Sequence, residues 1–277
     1  MPDKHTVALP AAQETLLIPL YARALETRKR RPLLRDPRSV AMVERIDYDF
    51  ARLGTGRSMI GAVLRGMIVD AWVSGFLAAN PSGTVVEIGA GLNTRHERLD
   101  NGRAHWVEYD LPEVIDLRKR FFADTERRTM LAASATGEEW VPAVKTRPGP
   151  YLFVSEAVLI YASRTGAAEA VGHIRRHFPG AGLIMDTFTT TAVSMMDSHD
   201  TLRHMRARPA WSVDDPASEL ARWGLSVERT CTLPRATPEV RRALPLGMRL
   251  TTALIDRTPP GRRYHLHNTR VTPCPPR

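Results

Sequence analysis

The chain has 277 residues, enough for one α/β domain with a sizeable core, and its 43% hydrophobic and 25% charged content is ordinary for a globular protein. Its formal net charge of +9 rests almost wholly on arginine, but the arginines are scattered apart from Arg28-Lys29-Arg30-Arg31, and no nucleic-acid motif accompanies them. No apolar leader follows the start and no stretch reads as the roughly 18 apolar residues of a spanning helix, while Cys231 and Cys274 lack the spacing of a metal site or disulfide framework. A cytoplasmic protein with no nucleic-acid, membrane or metal partner is therefore expected.

Residues 11–31 read as a helix, with Leu16, Leu17, Leu20, Tyr21 and Leu25 at helical spacing. Asp36-Pro37 opens a second, the aspartate as N-cap and the proline at the first helical position. After the loop at Gly54–Gly56, Ser58 caps a long apolar helix from Met59 to about Ala79. From Gly83 the pattern changes. Thr84–Ile88, His105–Tyr109, Met130–Ala133, Tyr151–Ser155 and Gly182–Asp186 read as strands, with helices after Leu111-Pro112 and over Arg164–His177. This alternation predicts a parallel sheet covered on both faces, with a ligand at the carboxyl ends of the strands. Thr187–Arg208 reads as a long polar connection, helical in part. A loop and helix follow over Trp211–Trp223, then two late strands at Leu225–Leu233 and Arg262–Thr269, and a loose tail over 271–277. The expected organisation is one integrated unit, an N-terminal helical cap over residues 1–57 on a domain over residues 58–270.

Glu87-x-Gly89-x-Gly91 closes the first long strand. Glycines there allow a sharp turn and let a cofactor approach the backbone. Gly-x-Gly alone would equally serve a dinucleotide, but Thr94 stands where the third glycine of that fingerprint belongs. Asp110 follows about 20 residues later, where a strand-end carboxylate can accept hydrogen bonds from ribose hydroxyls. That position supports a nucleoside without choosing which; its structural alternative is an N-cap.

Four stretches carry a family likeness: Glu44-Arg45-Ile46-Asp47-Tyr48-Asp49-Phe50, Gly89-Ala90-Gly91-Leu92-Asn93-Thr94-Arg95, Tyr109-Asp110-Leu111-Pro112-Glu113-Val114-Ile115 and Ser155-Glu156-Ala157-Val158-Leu159-Ile160-Tyr161. Trp211–Pro216 adds a weaker match. Over about residues 36 to 224 the chain resembles the leucine carboxyl methyltransferase-like group, which includes bacterial polyketide O-methyltransferases of the tetracenomycin type. The resemblance implies an α/β class I methyltransferase fold, a Rossmann-like seven-stranded sheet that is mostly parallel with one antiparallel strand, and S-adenosylmethionine as cofactor. It places Glu87, Gly89, Ala90, Gly91 and Asp110 at the cofactor. It further implies that Arg65 pairs with the methionine carboxylate, Glu156 holds the α-ammonium, Ser134 approaches the adenine, and Tyr161 lies near the sulfonium or acceptor. A carboxylate such as Glu156 after an apolar strand calls for a cationic neighbour. Ala90 replaces a common cysteine of the family, Asn93 a frequent aspartate, and His96-Glu97 follow where aromatic residues are common.

The expected reaction is O-methylation of a small acidic or phenolic molecule. A carboxylate acceptor needs no base; a hydroxyl does, and His96, His173, His199 and His204 are the histidines to watch. His199 and Arg203, with Arg206 and Arg208, form a candidate acceptor-binding segment. Two further readings stay open, a carboxyl methyltransferase of a peptide or protein C-terminus and a protein that binds the cofactor without transferring the methyl group. His265-x-His267 shares one strand face but has no third metal ligand.

Overall fold

The structure is a computed structural model describing residues 5–6, 13–54, 57–194 and 208–273. A short parallel pair, β1 (His5–Thr6) and β2 (Ile46–Asp47), flanks two helices, α1 (Leu17–Thr27) and α2 (Pro37–Arg45). The long helix α3 (Arg57–Ala79) leads into β3 (Thr84–Ile88), α4 (Arg95–Leu99), β4 (His105–Asp110), α5 (Pro112–Lys119), β5 (Arg128–Ala132), α6 (Val141–Lys145), β6 (Tyr151–Ser155), α7 (Arg164–His177) and β7 (Gly182–Phe188). Then come α8 (Thr190–Ser194), α9 (Pro216–Arg222), β8 (Leu225–Thr232), α10 (Pro238–Ala243), α11 (Leu246–Ile255) and β9 (Tyr264–Val271). The seven-stranded sheet has the order β5-β4-β3-β6-β7-β9-β8, with β9 antiparallel to both neighbours.

That order reverses at β3, which pairs with β4 on one side and β6 on the other. The crevice above this reversal is where open α/β sheets bind ligands. Every residue of β3 is buried, as a central parallel strand requires. Alternate side chains serve opposite layers. Val86, Val107, Phe153 and Leu183 meet Ala167, Val171 and Ile174 of α7, while Val85, Trp106, Leu152 and Ile184 meet Leu64, Ile68, Trp72 and Val73 of α3. A third cluster joins Leu17, Leu20 and Met42 of the N-terminal helices to Leu92, Ile115 and Phe121.

Asp36 is the N-cap of α2, accepting from the Ser39 amide at 3.0 Å, with Pro37 opening the helix. Several boundaries differ from the sequence reading. The first helix is a 3-10 turn over Gln13–Leu16 followed by α1, and it stops at Thr27, where Leu33 N–H and Lys29 converge on Glu26. Ser58 lies inside α3 and is not its cap. The segment Met59–Ala79 is long and apolar enough to cross a membrane, contrary to the count of apolar runs. Half of that window is buried in the protein and the helix carries Arg65 and Asp70 into ion pairs, which marks a core helix. Thr187 and Phe188 extend β7 and do not begin the connection.

Residues 271–273, expected within a loose tail, are tied to the fold. Val271 belongs to β9, Thr272 N–H donates to Gly224 O at 2.9 Å, and Arg175 donates to Thr272 O and Pro273 O. Between β8 and β9 the sequence reading placed no element, yet α10 starts on Thr237-Pro238, the threonine accepting from Val240 N–H. The next helix, α11, buries no residue and leaves Leu246, Leu250 and Leu254 exposed along one side, so no buried stripe announced it.

Candidate cofactor site

The turn after β3 needs two left-handed residues, Gly89 at φ 63° and Gly91 at φ 49°. A Cβ on Gly89 would lie 2.5 Å from Val158 Cγ2, so here the missing side chain makes room for the chain after β6. At Gly91 a Cβ would meet Leu16 Cβ at 3.4 Å, which puts the N-terminal segment directly over the turn. Ala90 is buried, and its N–H donates to Tyr109 O. The carbonyls of the turn are gripped from two sides. Arg118 Nη1 donates to Gly91 O and Asn93 O at 2.9 and 2.8 Å, and Arg23 Nη2 donates to Leu92 O at 2.8 Å.

Asp110 ends β4 beside this turn. Its Oδ2 accepts from Gly91 N–H at 2.8 Å and its Oδ1 from Leu111 N–H at 2.7 Å. Burial pushes its carboxyl up, against the pull of these two amides and of Arg118. The residue is thus neither a helix N-cap with its own capping bond nor a distant surface acid. Its oxygens keep lone pairs for further donors.

A buried ionic cluster sits beneath the crevice. Arg95, 1% exposed, donates from Nε to Asp70 at 2.7 Å, from Nη1 to both oxygens of Glu87 at 2.7 and 2.8 Å, and from Nη2 to Glu156 at 2.5 Å. Glu87 therefore faces Arg95 with both oxygens. Glu156, just past β6, also accepts from Arg65 Nε at 2.7 Å. The cationic neighbours that its position demanded are these two guanidinium groups. Burial raises the Glu156 carboxyl, but Arg65 and Arg95 outweigh it and hold the group at about 2. Arg65 sits about five residues before Asp70 on the end of α3 that reaches the strand carboxyl ends, because α3 runs antiparallel to β3. Its Nη groups make no hydrogen bond to described residues.

Two more groups face this cluster. Asp186, in β7 and fully buried, accepts at Oδ2 from Ala157 N–H at 2.9 Å and from Tyr264 O–H. Tyr161, in the 3-10 turn Leu159–Tyr161, lies within electrostatic reach of Arg65, Asp186 and Arg208, and burial raises its phenol. Ser134 follows β5 by two residues and is turned inward on Thr136, its hydroxyl 3.1 Å from the threonine Oγ1 and accepting from the Thr136 amide.

The structure thus gathers Gly89, Gly91, Asp110, Arg65, Glu156 and Tyr161 at one end of the sheet. Glu87 joins them only through Arg95. His199, Arg203, His204 and Arg206 lie outside the described residues. His173 is held on α7 by Glu138 and Thr136 O, and His96 packs edge-on against Trp106 at 5.4 Å. His267, whose ring burial pushes down to about 3, lies between Thr187 and Thr230 hydroxyls. Among the described residues no group of three or more His, Cys, Asp or Glu could hold a metal.

Sequence reasoning missed Arg95, Asp70, Arg98 and Asp186. A signal existed: Asp70 interrupts an apolar helix and Glu87 an apolar strand, and buried carboxylates require cationic partners. Counted together, Asp70, Glu87, Glu156 and Asp186 face Arg65, Arg95 and Arg98, an excess of one carboxylate. Such an interior suits a cationic nucleoside. It does not suit a diphosphate, which would need free turn amides, and the Gly91 amide is already given to Asp110.

No protein-family model matches the chain. Among characterised proteins, it is 33% identical over 216 residues to the tetracenomycin polyketide synthesis O-methyltransferase TcmP of Streptomyces glaucescens, covering 77% of this chain and 80% of that protein. It is 27% identical over 237 residues to the S-adenosyl-L-methionine-dependent methyltransferase dpfgK of Gibberella zeae, covering 77% and 79%. Among solved structures, a protein of Thermobifida fusca described as a methyltransferase superposes with a TM-score of 0.59 at 18% identity, over 91% of this chain and 94% of that one. A DUF574-family protein of Streptomyces avermitilis does so at 0.60 and 14% identity, over 95% and 100%. These two likenesses concern the fold.

Proposed function

The chain belongs to the tetracenomycin-type family of S-adenosylmethionine-dependent class I methyltransferases, and from that premise we propose that it transfers the methyl group to an oxygen of a small natural product. S-adenosylmethionine supplies an electrophilic methyl group on a sulfonium. The observation that carries the reading is the strand-end set itself: Asp110 beside the glycine turn, and the carboxylate-rich cluster around Arg95, which matches a cationic cofactor. In this reading Asp110 accepts from the ribose hydroxyls, and the Arg65 Nη groups pair with the methionine carboxylate by two parallel bonds. Glu156, held ionised, accepts from the α-ammonium; Ser134 borders the adenine and Tyr161 the acceptor. Arg95 positions Glu156 and Glu87 and touches no ligand itself.

Methyl transfer is mainly a matter of placement, with the acceptor oxygen held about 3 Å from the methyl carbon and water kept out. The N-terminal helices support a closed pocket, since Leu16 covers Gly91 and Arg23 holds the turn. That favours a small acceptor over a peptide C-terminus, and the cytoplasm is the compartment proposed for it. The test is to incubate purified protein with S-adenosylmethionine and a panel of aryl carboxylates and phenols, and to measure S-adenosylhomocysteine by chromatography. Product with at least one small acceptor is expected. Cofactor binding without product across the panel would move the reading to a binding protein.

A further inference from the structure

Three arginines converge where β7 ends and β9 begins. Arg257 follows α11, Arg262 and Arg263 precede β9, and with Thr189, Thr191 and Asp214 they line a recess of about 380 Å³. Gly261 permits this convergence, because a Cβ there would run into Ile255 O and push the turn before β9 off the end of α11. Among the described residues no carboxylate pairs with any of the three guanidinium groups. Asp256, beside Arg257 in the chain, is taken by Arg235 at 3.1 Å, and Arg262 Nε donates to its backbone oxygen at 3.2 Å. Asp214 spends Oδ1 on the Thr190 amide at 2.9 Å. The lining therefore sets three positive charges against one negative. Arg263 Nε is shielded from water and has no hydrogen-bond partner. A charged donor left so is costly, and on the wall of a recess it calls for an acceptor that arrives with a ligand. Thr189 Oγ1 accepts from Ala192 N–H at 3.2 Å, and the hydroxyl protons of Thr189 and Thr191 go to no described residue. Guanidinium and hydroxyl groups here all have hydrogens to give, which suits a ligand group made only of acceptors.

The recess is joined to the cofactor crevice by the strap over residues 208–214. Ala210 N–H donates to Ile160 O at 2.8 Å, next to Tyr161; Val213 N–H donates to Phe188 O at 2.8 Å, and Asp214 then lines the recess. Four residues of fully extended chain span at most about 14 Å, so one small molecule can touch both places. We propose that the recess is an oxyanion subsite for the methyl acceptor, in which Arg263 with Arg257 and Arg262 grips a carboxylate or phosphate group at the end of the molecule away from the methylated oxygen. The proposal rests on the methyltransferase reading above and specifies an acceptor that carries an anionic group besides the oxygen that receives the methyl. The planar guanidinium fork binds such a group by paired, charge-assisted bonds, and the excess positive charge draws it in.

The test has two arms, both by calorimetry at one fixed ionic strength. In the first, pyrophosphate is titrated into the protein without cofactor. The wild-type protein should bind it, and Arg263→Gln should lose about tenfold in affinity. Arg257→Gln, which alters an exposed side chain and leaves folding alone, should lose about threefold or more. Arg270→Gln removes the same charge from a surface pair with Glu228 and should stay within about twofold of wild type. No pyrophosphate binding, or equal losses in the three variants, would overturn the subsite, the latter by reducing it to the general positive charge of the protein. The second arm uses protein saturated with S-adenosylhomocysteine and two probes of one ring system, 2-naphthoate and naphthalene-2,6-dicarboxylate. The dicarboxylate should bind about tenfold tighter to the wild-type protein, and this preference should vanish in Arg263→Gln, whose affinity for S-adenosylhomocysteine should stay within about twofold. If pyrophosphate binds as expected but the wild-type protein binds the two rings equally or not at all, the recess serves a free small anion and its assignment to the acceptor is overturned. Failure of the wild-type protein to bind S-adenosylhomocysteine would remove the methyltransferase reading and the acceptor assignment with it, while the pyrophosphate arm would still decide whether the recess holds an oxyanion.

Discussion

Arg95 uses all three nitrogens of its guanidinium on three carboxylates from three elements: Asp70 of α3, Glu87 of β3 and Glu156 after β6. A lysine offers one compact charge and cannot span that fork. Arg95→Lys should therefore lower the unfolding free energy by about 3 kcal/mol in urea titration, since carboxylates stay buried with incomplete pairing; a loss below ~1 kcal/mol would show the cluster to be slack. Within the same cluster two carboxylates respond oppositely to pH. Glu156, held at about 2, contributes stability that is present above its unfolded value and lost as the pH falls toward 2. Asp186, raised to about 6, contributes fully only below its unfolded value and loses that contribution as the pH rises through 6. Asp186→Asn should therefore exceed wild type in unfolding free energy at pH 8, by up to about 3 kcal/mol in urea titration, with the gap closing near pH 4. A gap independent of pH would contradict the raised carboxyl.

The turn between β3 and α4 is where local sequence and distant packing meet. Both glycines have positive φ, but only at Gly89 does a Cβ collide, with Val158 Cγ2 at 2.5 Å and Cγ1 at 2.7 Å. A β-branched neighbour cannot rotate both methyls away. Gly91→Ala should cost about 1 kcal/mol of backbone strain, and Gly89→Ala about 2 kcal/mol more, partly restored by Val158→Ala. Equal costs at the two sites would remove the packing argument. On α3, Arg65 has one nitrogen on Glu156 and Nη groups without described partners. Arg65→Ala should weaken S-adenosylmethionine by about tenfold or more in calorimetry while leaving 5′-methylthioadenosine, which lacks the amino-acid end, within about twofold. Equal losses would place Arg65 away from the methionine carboxylate.

At the scale of the molecule, the N-terminal helices are mechanically part of the crevice. Arg23 of α1 bonds at once to Leu92 O in the turn and to Asp36, which in turn accepts from Ser39 and Thr94. Ligand binding and the docking of α1 should thus be coupled. In hydrogen exchange, S-adenosylhomocysteine should slow the amides of α1 together with those of residues 89–94; protection confined to the turn would show the helices to be a passive cover.

The strands β3, β4 and β6, α2 with its Asp36 cap, α7 and the positions of Asp110 and Glu156 were legible in the sequence, because each follows from a local rule: an apolar run, a cap, or a carboxylate at a strand end. The parallel sheet followed from that alternation of strands and helices, and the seven-stranded class I architecture from the family likeness. What local rules could not supply was pairing between distant elements. The role of Arg95 depends on carboxylates at sequence separations of 25, 8 and 61, and the anchoring of Asp186 on Ala157 and Tyr264, 29 and 78 residues away. Buried charge announces that a partner must exist, but only the folded sheet, by bringing the ends of β3, β6 and β7 beside α3, decides which one.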